Sequence, residues 1–281
     1  MSETPARVAL ITGCGKPDGM GAAIARALAA RGDTVVVTDR LPAGVENVGD
    51  APESGPGGLG ALVEELSATG TQSLALLGDI GDAADVERMY AQVDDAFGRL
   101  DVLVNNAAAP QGADRADVAD VPVEAWQEQL RVTLHGTFLM SRAAIQRMRP
   151  ARYGRIVNVS SMAGIDAAGR STAYSAAKAG ILGLTRSLAI DVAGWGITVN
   201  AVCPGLVATS RSMLGRRGGD RDAAMRQMAT RIPVGRVGVP EDVAHAVDFL
   251  SHERSGYITA QSLPIDGGGI DRLSMGRPPE A

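Results

Sequence analysis

Tyr174 and Lys178 stand four residues apart in the run YSAAK, a spacing that puts both on one face of a helix. Hydride transfer to a carbonyl builds negative charge on its oxygen, and a phenol of lowered pKa can supply the proton. A neighbouring cation favours the phenolate, and the Lys178 ammonium can do this while also reaching a cofactor ribose. Ser161 lies thirteen positions before the tyrosine, at the end of the apolar run in VNVSSMAG. Ser160 beside it faces the other way, because side chains alternate along a strand. Tyr174 and Lys178 together suit exchange of a proton at the oxygen of a carbinol or carbonyl whose carbon exchanges a hydride. A Tyr-x-x-x-Lys pair alone also occurs on exposed helices without any role, so the rest of the chain has to supply the hydride carrier.

The carrier site is expected near the N-terminus. The first apolar run leads into TGCGKPDGMG, Thr12 to Gly21, and then into the Ala-rich AAIARALAARG. Glycines such as Gly13 and Gly19 permit a tight turn, let the backbone approach a pyrophosphate, and aim a helix N-terminus at its charge, with Met20 opening that helix. Asp39 ends TVVVTDR, about 20 residues further on, where an acid can accept from the adenosine ribose hydroxyls and repel a 2′-phosphate. Asp18 adds like-charge repulsion. Arg40 and Lys16 point the other way, since either can pair with that phosphate. The balance favours NAD, with NADP as the alternative.

The elements that must position these residues are legible as short buried strands: Val8 to Ile11, Val35 to Val37, Leu74 to Leu77, Val102 to Val104, Ile156 to Val159, Ile197 to Val202 and Ser262 to Ile265. Between them lie helical patterns over Met20 to Arg31, Asp82 to Phe97, Glu124 to Arg149, Tyr174 to Val192 and Pro240 to Ser251. This alternation predicts an α/β fold: a doubly wound, Rossmann-like parallel sheet in three layers, forming a single domain over 1–281. The Gly- and Pro-rich stretch 41–58 reads as an exposed loop, and 276–281 as a frayed tail. An aromatic share of only 3% means the core is built from Ala, Val, Leu and Ile.

Taken in order, the glycine loop, Asp39, Asp79-Ile80, Asn105-Asn106-Ala107-Ala108, Ser161, YSAAK, Asn200 and Pro204-Gly205 resemble the motifs of the short-chain dehydrogenase/reductase family, from about Arg7 through Gly268. The resemblance implies that Ser161, Tyr174 and Lys178 are the catalytic set, since their spacing is the family's. It also implies that Asp79 and Ile80 hold the adenine, Asn106 the nicotinamide-side ribose, and the backbone near Val207 with Thr209 the carboxamide. A lid over the substrate is implied for 205–232, and a homotetramer, or failing that a dimer, for the assembly.

Two features depart from the family pattern. Five residues separate Gly13 from Gly19 where relatives have three. Thr133 stands where relatives have an Asn that helps hold a water beside the lysine. His135 is no substitute base, because two helical positions turn it about 200° away from Thr133.

A formal charge of −5 without a long basic cluster speaks against nucleic acid. No apolar run approaches a membrane span. MSETPARVALIT lacks the basic start and apolar region of an export signal, so a cytoplasmic protein with reduced Cys14 and Cys203 is expected. His135, His245 and His252 lack ligand spacing, and no metal is expected. Trp126 and Trp195 read as packing residues. Substrate contacts are expected from Ala108 to Ala113, Met162 to Arg170 and Gly205 to Ile232. Within these, Asp166, Arg170, Arg211, Arg216 and Arg217 either meet an anionic substrate or form solvated surface. The leading reading is an NAD-dependent oxidoreductase acting on a small alcohol or ketone. An NADP-dependent carbonyl reductase and a cofactor-binding protein with weakened turnover are the alternatives.

Overall fold

Aliphatic runs such as VALIT and TVVVTD have no polar face to offer to water, so a sheet made from them must be covered on both sides. The computed structural model, which describes residues 6–47, 57–166, 168–213 and 219–269, shows this arrangement. Seven parallel strands, β1 (Val8–Thr12), β2 (Thr34–Asp39), β3 (Ser73–Leu77), β4 (Val102–Asn105), β5 (Gly154–Val159), β6 (Ile197–Pro204) and β7 (Ser262–Ile265), lie in the order β3-β2-β1-β4-β5-β6-β7. Successive side chains of β1 feed two separate cores. Ala9 and Ile11 pack with Leu28 of α1 (Met20–Ala30), Leu62 of α2 (Leu59–Ala68) and Val247 of α8 (Pro240–Ser251). Val8 and Leu10 join Met89 of α3 (Ala83–Phe97), Met140 of α5 (Gly136–Ala151) and Ala189 of α6 (Thr172–Val192). The result is three layers in one domain. The deepest aromatic, Tyr90, is fully buried, and its hydroxyl donates to the Met140 carbonyl at 2.8 Å, as a buried phenol requires.

The chain starts in the middle of the sheet, builds outward through β2 and β3, then crosses back to β4. The direction of winding therefore reverses between β1 and β4, and at such a switch point the connections after the strand ends part to leave a crevice. The glycine loop follows β1 and the Asn-Asn-Ala-Ala run follows β4, so both motifs lie at its mouth.

The predicted strands all form, within one or two residues at their ends. The helix expected over Glu124 to Arg149 is not uniform. It runs as α4 (Val123–Glu128), a π-helical segment Gln129–His135, and then α5. The wider turn carries Thr133 into the interior, where it is fully buried. Two helices without a predicted counterpart also form. One is α2, just after the Gly- and Pro-rich stretch; the other is α7 (Gly219–Ala229), whose GDRDAAMRQMA has no continuous apolar stripe to betray it. The expectation of an exposed loop over 41–58 needs correction in part. Leu41 to Ala43 are exposed, but Gly44 and Asn47 are buried. Gly44 lies against the enlarged glycine loop, so close that a Cβ on Gly15 would come 2.2 Å from its nitrogen. Residues 48–56 and the tail 276–281 lie outside the described residues.

Candidate active site

The glycine loop takes its shape from what cannot fit in it. Gly13 has φ +76, a left-handed conformation that favours glycine, and a Cβ on Gly21 would sit 2.3 Å from the Gly13 carbonyl oxygen. Helix α1 starts after Gly19 with no side-chain cap and no acid in its first turn. Its N-terminal N–H groups are thus left for an anion, which is the arrangement a dinucleotide pyrophosphate uses. Asn106 fastens the loop to β4, donating from Nδ2 to the carbonyls of Thr12 at 2.9 Å and Gly13 at 3.0 Å. Asp18 ties the loop to a distant segment, its carboxylate accepting from the Ser210 N–H at 2.7 Å and the Ser210 hydroxyl at 3.0 Å.

Asp39 ends β2 with its carboxylate accepting from the Gly15 and Arg40 N–H groups. Burial raises its pKa, against the pull of those backbone bonds and of the Arg40 charge. The Arg40 side chain turns away from it, donating to Glu128 at 3.2 Å and lying 3.8 Å from Asp79. Glu128 and Asp79 are joined in turn by Arg131, which pairs with each at 2.8 Å. Beside this network a small slot is lined by Asp39, Asp79, Ile80 and Val132.

The larger cleft, of about 380 Å³, runs from Gly13, Gly19, Met20 and Asp39 past Asn106 to Ser161, Tyr174 and Lys178, and on to Val207 and Thr209. All three catalytic candidates are therefore on one wall system. Strand β5 delivers Ser160 and Ser161. Ser160 turns inward as alternation predicts, and its hydroxyl donates to the Lys178 carbonyl at 2.8 Å. Ser161 faces the cleft and caps a short 3-10 turn, Met162–Gly164, accepting from the Ala163 N–H at 3.1 Å. That turn packs on α6 so tightly that a Cβ at Gly164 would lie 2.7 Å from the Lys178 backbone, which brings Ser161 up to the first turn of α6, where Tyr174 stands. Lys178 is buried, its Nζ donating to the Val159 carbonyl at 2.6 Å and lying 5.7 Å from the Tyr174 ring centroid. Burial, and then the Arg211 charge, push its pKa down to about 7.

Beneath the site, Asn105 donates to Asn158 at 2.8 Å, and Asn158 to Thr185 at 2.9 Å, a buried chain linking β4, β5 and α6. Thr133 accepts from the Ala109 N–H at 3.1 Å and so steadies the β4 connection rather than touching Lys178. His135 is exposed, its ring tilted beside that of Phe138 with 6.2 Å between centroids. Val207 forms a lone bridge with Gly238, and Thr209 is buried just after it.

Several residues of the 205–232 segment line the site, and Arg211 is the charged one among them. Its guanidinium donates to the carbonyls of Ala109 at 2.7 Å and Ala108 at 3.4 Å and lies 6.0 Å from the Tyr174 ring centroid. Arg216 and Arg217 lie outside the described residues. Asp166 and Arg170 do not line the cleft, whereas Val45, Asn47, Gln111 and Arg115 do. Gln111 falls within the predicted segment Ala108 to Ala113, whereas no local signal marks Val45, Asn47 and Arg115, because the fold alone brings their loops over the strand ends. Among the described residues no cluster of His, Cys, Asp and Glu could hold a metal ion, and no helix is long and apolar enough to cross a membrane.

Comparison with known proteins gives concordant matches. A family model described as enoyl-(acyl carrier protein) reductase matches residues 13–269. The chain is 40% identical over 263 residues to (2S)-[(R)-hydroxy(phenyl)methyl]succinyl-CoA dehydrogenase subunit BbsD of Thauera aromatica, covering 93% of this chain and 96% of that protein. It is 34% identical to the 3-oxoacyl-[acyl-carrier-protein] reductase FabG of Escherichia coli, over 93% of this chain and 96% of the relative. Among solved structures, levodione reductase superimposes with a TM-score of 0.81 at 29% identity, covering 93% of this chain and 96% of that one.

Proposed function

The chain belongs to the short-chain dehydrogenase/reductase family of nicotinamide-dependent oxidoreductases, and within it we propose an NAD-dependent enzyme that exchanges a hydride with a secondary carbinol or ketone of a small substrate, using Tyr174 as the acid/base. The observation that carries this reading is that Ser161, Tyr174 and Lys178 line the same cleft that begins at the glycine loop, with the Lys178 Nζ 5.7 Å from the Tyr174 ring centroid.

Bound in this cleft, the nicotinamide ring would accept or give the hydride. The chain's own residues do the rest. Ser161 holds the substrate oxygen beside the Tyr174 hydroxyl. Tyr174 takes the carbinol proton in oxidation and returns it in reduction, the role of a positioned general acid/base. The Lys178 cation stabilises the phenolate at the moment it forms, and the Val159 carbonyl keeps Nζ in place meanwhile. The 205–232 segment is proposed as the lid that screens this exchange from water.

Support for NAD comes from Asp39 at the end of β2 and from Arg40, whose guanidinium is engaged by Glu128 rather than offered to a 2′-phosphate. Lys16, which lines the cleft, keeps NADP as the second reading. For assembly we infer a homotetramer, in keeping with exposed apolar side chains on α5 (Phe138), α6 (Ile190), α8 (Phe249) and β7 (Leu263); light scattering on the purified protein tests it.

Parallel titrations with NADH and NADPH, read by nicotinamide fluorescence, test the carrier. NADH is expected to bind and NADPH to bind at least about tenfold more weakly, a gap that Asp39→Ala closes. Equal affinities in the native protein would overturn the NAD preference, and binding of neither would remove the enzyme reading.

A further inference from the structure

The charges along the main cleft are lopsided. Lys16, Arg115, Lys178 and Arg211 all line it, and among the described residues its one acid is Asp39, at the cofactor end. Lys16 sits at the glycine loop, where cofactor phosphates account for a cation. The excess at the other end has no such explanation. Lys178 serves Tyr174, but Arg211 and Arg115 belong to neither the glycine loop nor the catalytic set.

Arg211 has five N–H donors, of which the Ala108 and Ala109 carbonyls engage only part. Among the described residues neither Arg211 nor Arg115 forms an ion pair. The nearest acid, Asp114, is buried. One of its oxygens accepts from the Gly112 N–H at 3.0 Å, and the other has no hydrogen-bond partner. Burial and the Arg115 charge weaken the hold of Arg211 on its proton, against the opposing influence of Tyr174 and Asp114. The guanidinium is therefore incompletely solvated and incompletely paired, beside the reacting phenol. Such a group is satisfied best by an anion that enters with the ligand, and a planar carboxylate matches the guanidinium fork. Arg115 stands at the rim, held by Gln111 at 2.5 Å, where it can add a second, weaker contact.

We propose that Arg211, assisted by Arg115, is the anchor for a substrate carboxylate, so that the natural substrate is a hydroxy acid or oxo acid whose carboxylate lies only a few carbons from the reacting carbon. This rests on the catalytic reading given above. The anchor sets which molecules are held and at which carbon the hydride is exchanged, because fixing the carboxylate at Arg211 leaves one nearby carbon opposite Tyr174.

Calorimetric titration with benzoate and with benzamide, a pair alike in shape and different in charge, tests the anchor without needing turnover. In the NADH-saturated protein the acid is expected to bind about 10- to 100-fold more tightly than the amide, the range for charge-assisted hydrogen bonds. Arg211→Gln should remove most of that preference while changing NADH affinity less than about threefold, and Arg211→Lys should restore part of it. Tyr174→Phe should leave acid binding intact, so failure of the catalytic assignment is separable from failure of the anchor. If NADH does not bind, the same titration on the protein alone carries the test. Equal binding of acid and amide, binding of neither, or a preference that survives Arg211→Gln would overturn the proposal. A rise in NADH affinity in Arg211→Gln would also overturn it, by showing that the side chain occupies cofactor space.

Discussion

The two ends of the cleft are built by different means. At the cofactor end, the determinants are backbone shape and strand endings: Gly13 at positive φ, an uncapped α1, Asp39 closing β2. Each is marked by a local residue type, although Asn106, Ser210 and Gly15 then fix it from a distance. At the substrate end the determinants are long side chains carried by loops, with Arg211 crossing from beyond β6 to the carbonyls after β4, a hundred residues earlier in the chain. A binding function that every member of a fold needs can be written into local geometry. A preference for one substrate over another is left to mobile-length side chains that can change without disturbing the sheet.

Between the ends stands the catalytic trio, and its removal gives the sharpest division of the two. Tyr174→Phe should cut turnover by at least about 100-fold while NADH binding stays near normal. A parallel loss of NADH binding would show that the two ends are not separable. Smaller, and read in stability rather than rate, is the effect of Lys178. Its pKa is held near 7 by burial and Arg211, well below the ordinary lysine value, so above neutral pH the unfolded chain binds a proton that the folded chain does not. Stability of the cofactor-free protein should therefore rise with pH from about 7 upward, by up to about 1.4 kcal/mol per unit. Lys178→Met should flatten that rise. The comparison is best made by denaturant unfolding between about pH 7 and 8.5, because the raised pKa values of Cys14, Cys203 and Tyr90 act in the opposite sense at higher pH. A slope unchanged in Lys178→Met would place the lysine in a more solvated setting. Least of all should Thr133→Asn alter turnover, by less than about threefold, with a stability loss of about 1–2 kcal/mol from overpacking. A tenfold gain in turnover would instead route the proton path through this position.

The same division explains what could be read from the sequence. The strands and the cofactor end were legible because aliphatic runs, glycine turns and the acid after β2 are local signals. Ser161, Tyr174 and Lys178 were legible as types and spacings, and the geometry adds that Ser160 and Val159 clamp the lysine from two sides. The π-helical turn at Gln129–His135 was not, since its sequence keeps a helical pattern and only packing decides the extra residue in the turn. Nor was the fate of Gly44 and Asn47. Gly- and Pro-rich composition speaks for a turn but says nothing of what the turn lies against, here the glycine loop lengthened by two residues. Arg211 was open to two readings in the sequence because an arginine in a loop looks alike whether it points to water or into a cleft.

Strand register acts here as a calibration of the active site. Ser161 sits two residues past the end of β5, so its height above the sheet depends on how β5 is aligned with β4, where Asn105 pairs with Asn158. The buried hydrogen bond between those two side chains is satisfied in one alignment only, and sliding by a single residue would turn both asparagines toward opposite faces. Thr185 extends the same gauge to α6, the helix bearing Tyr174 and Lys178. Three buried polar side chains just beneath the site thus keep the serine and the tyrosine on a common scale, and an error in strand alignment would be read out as a misplaced hydroxyl.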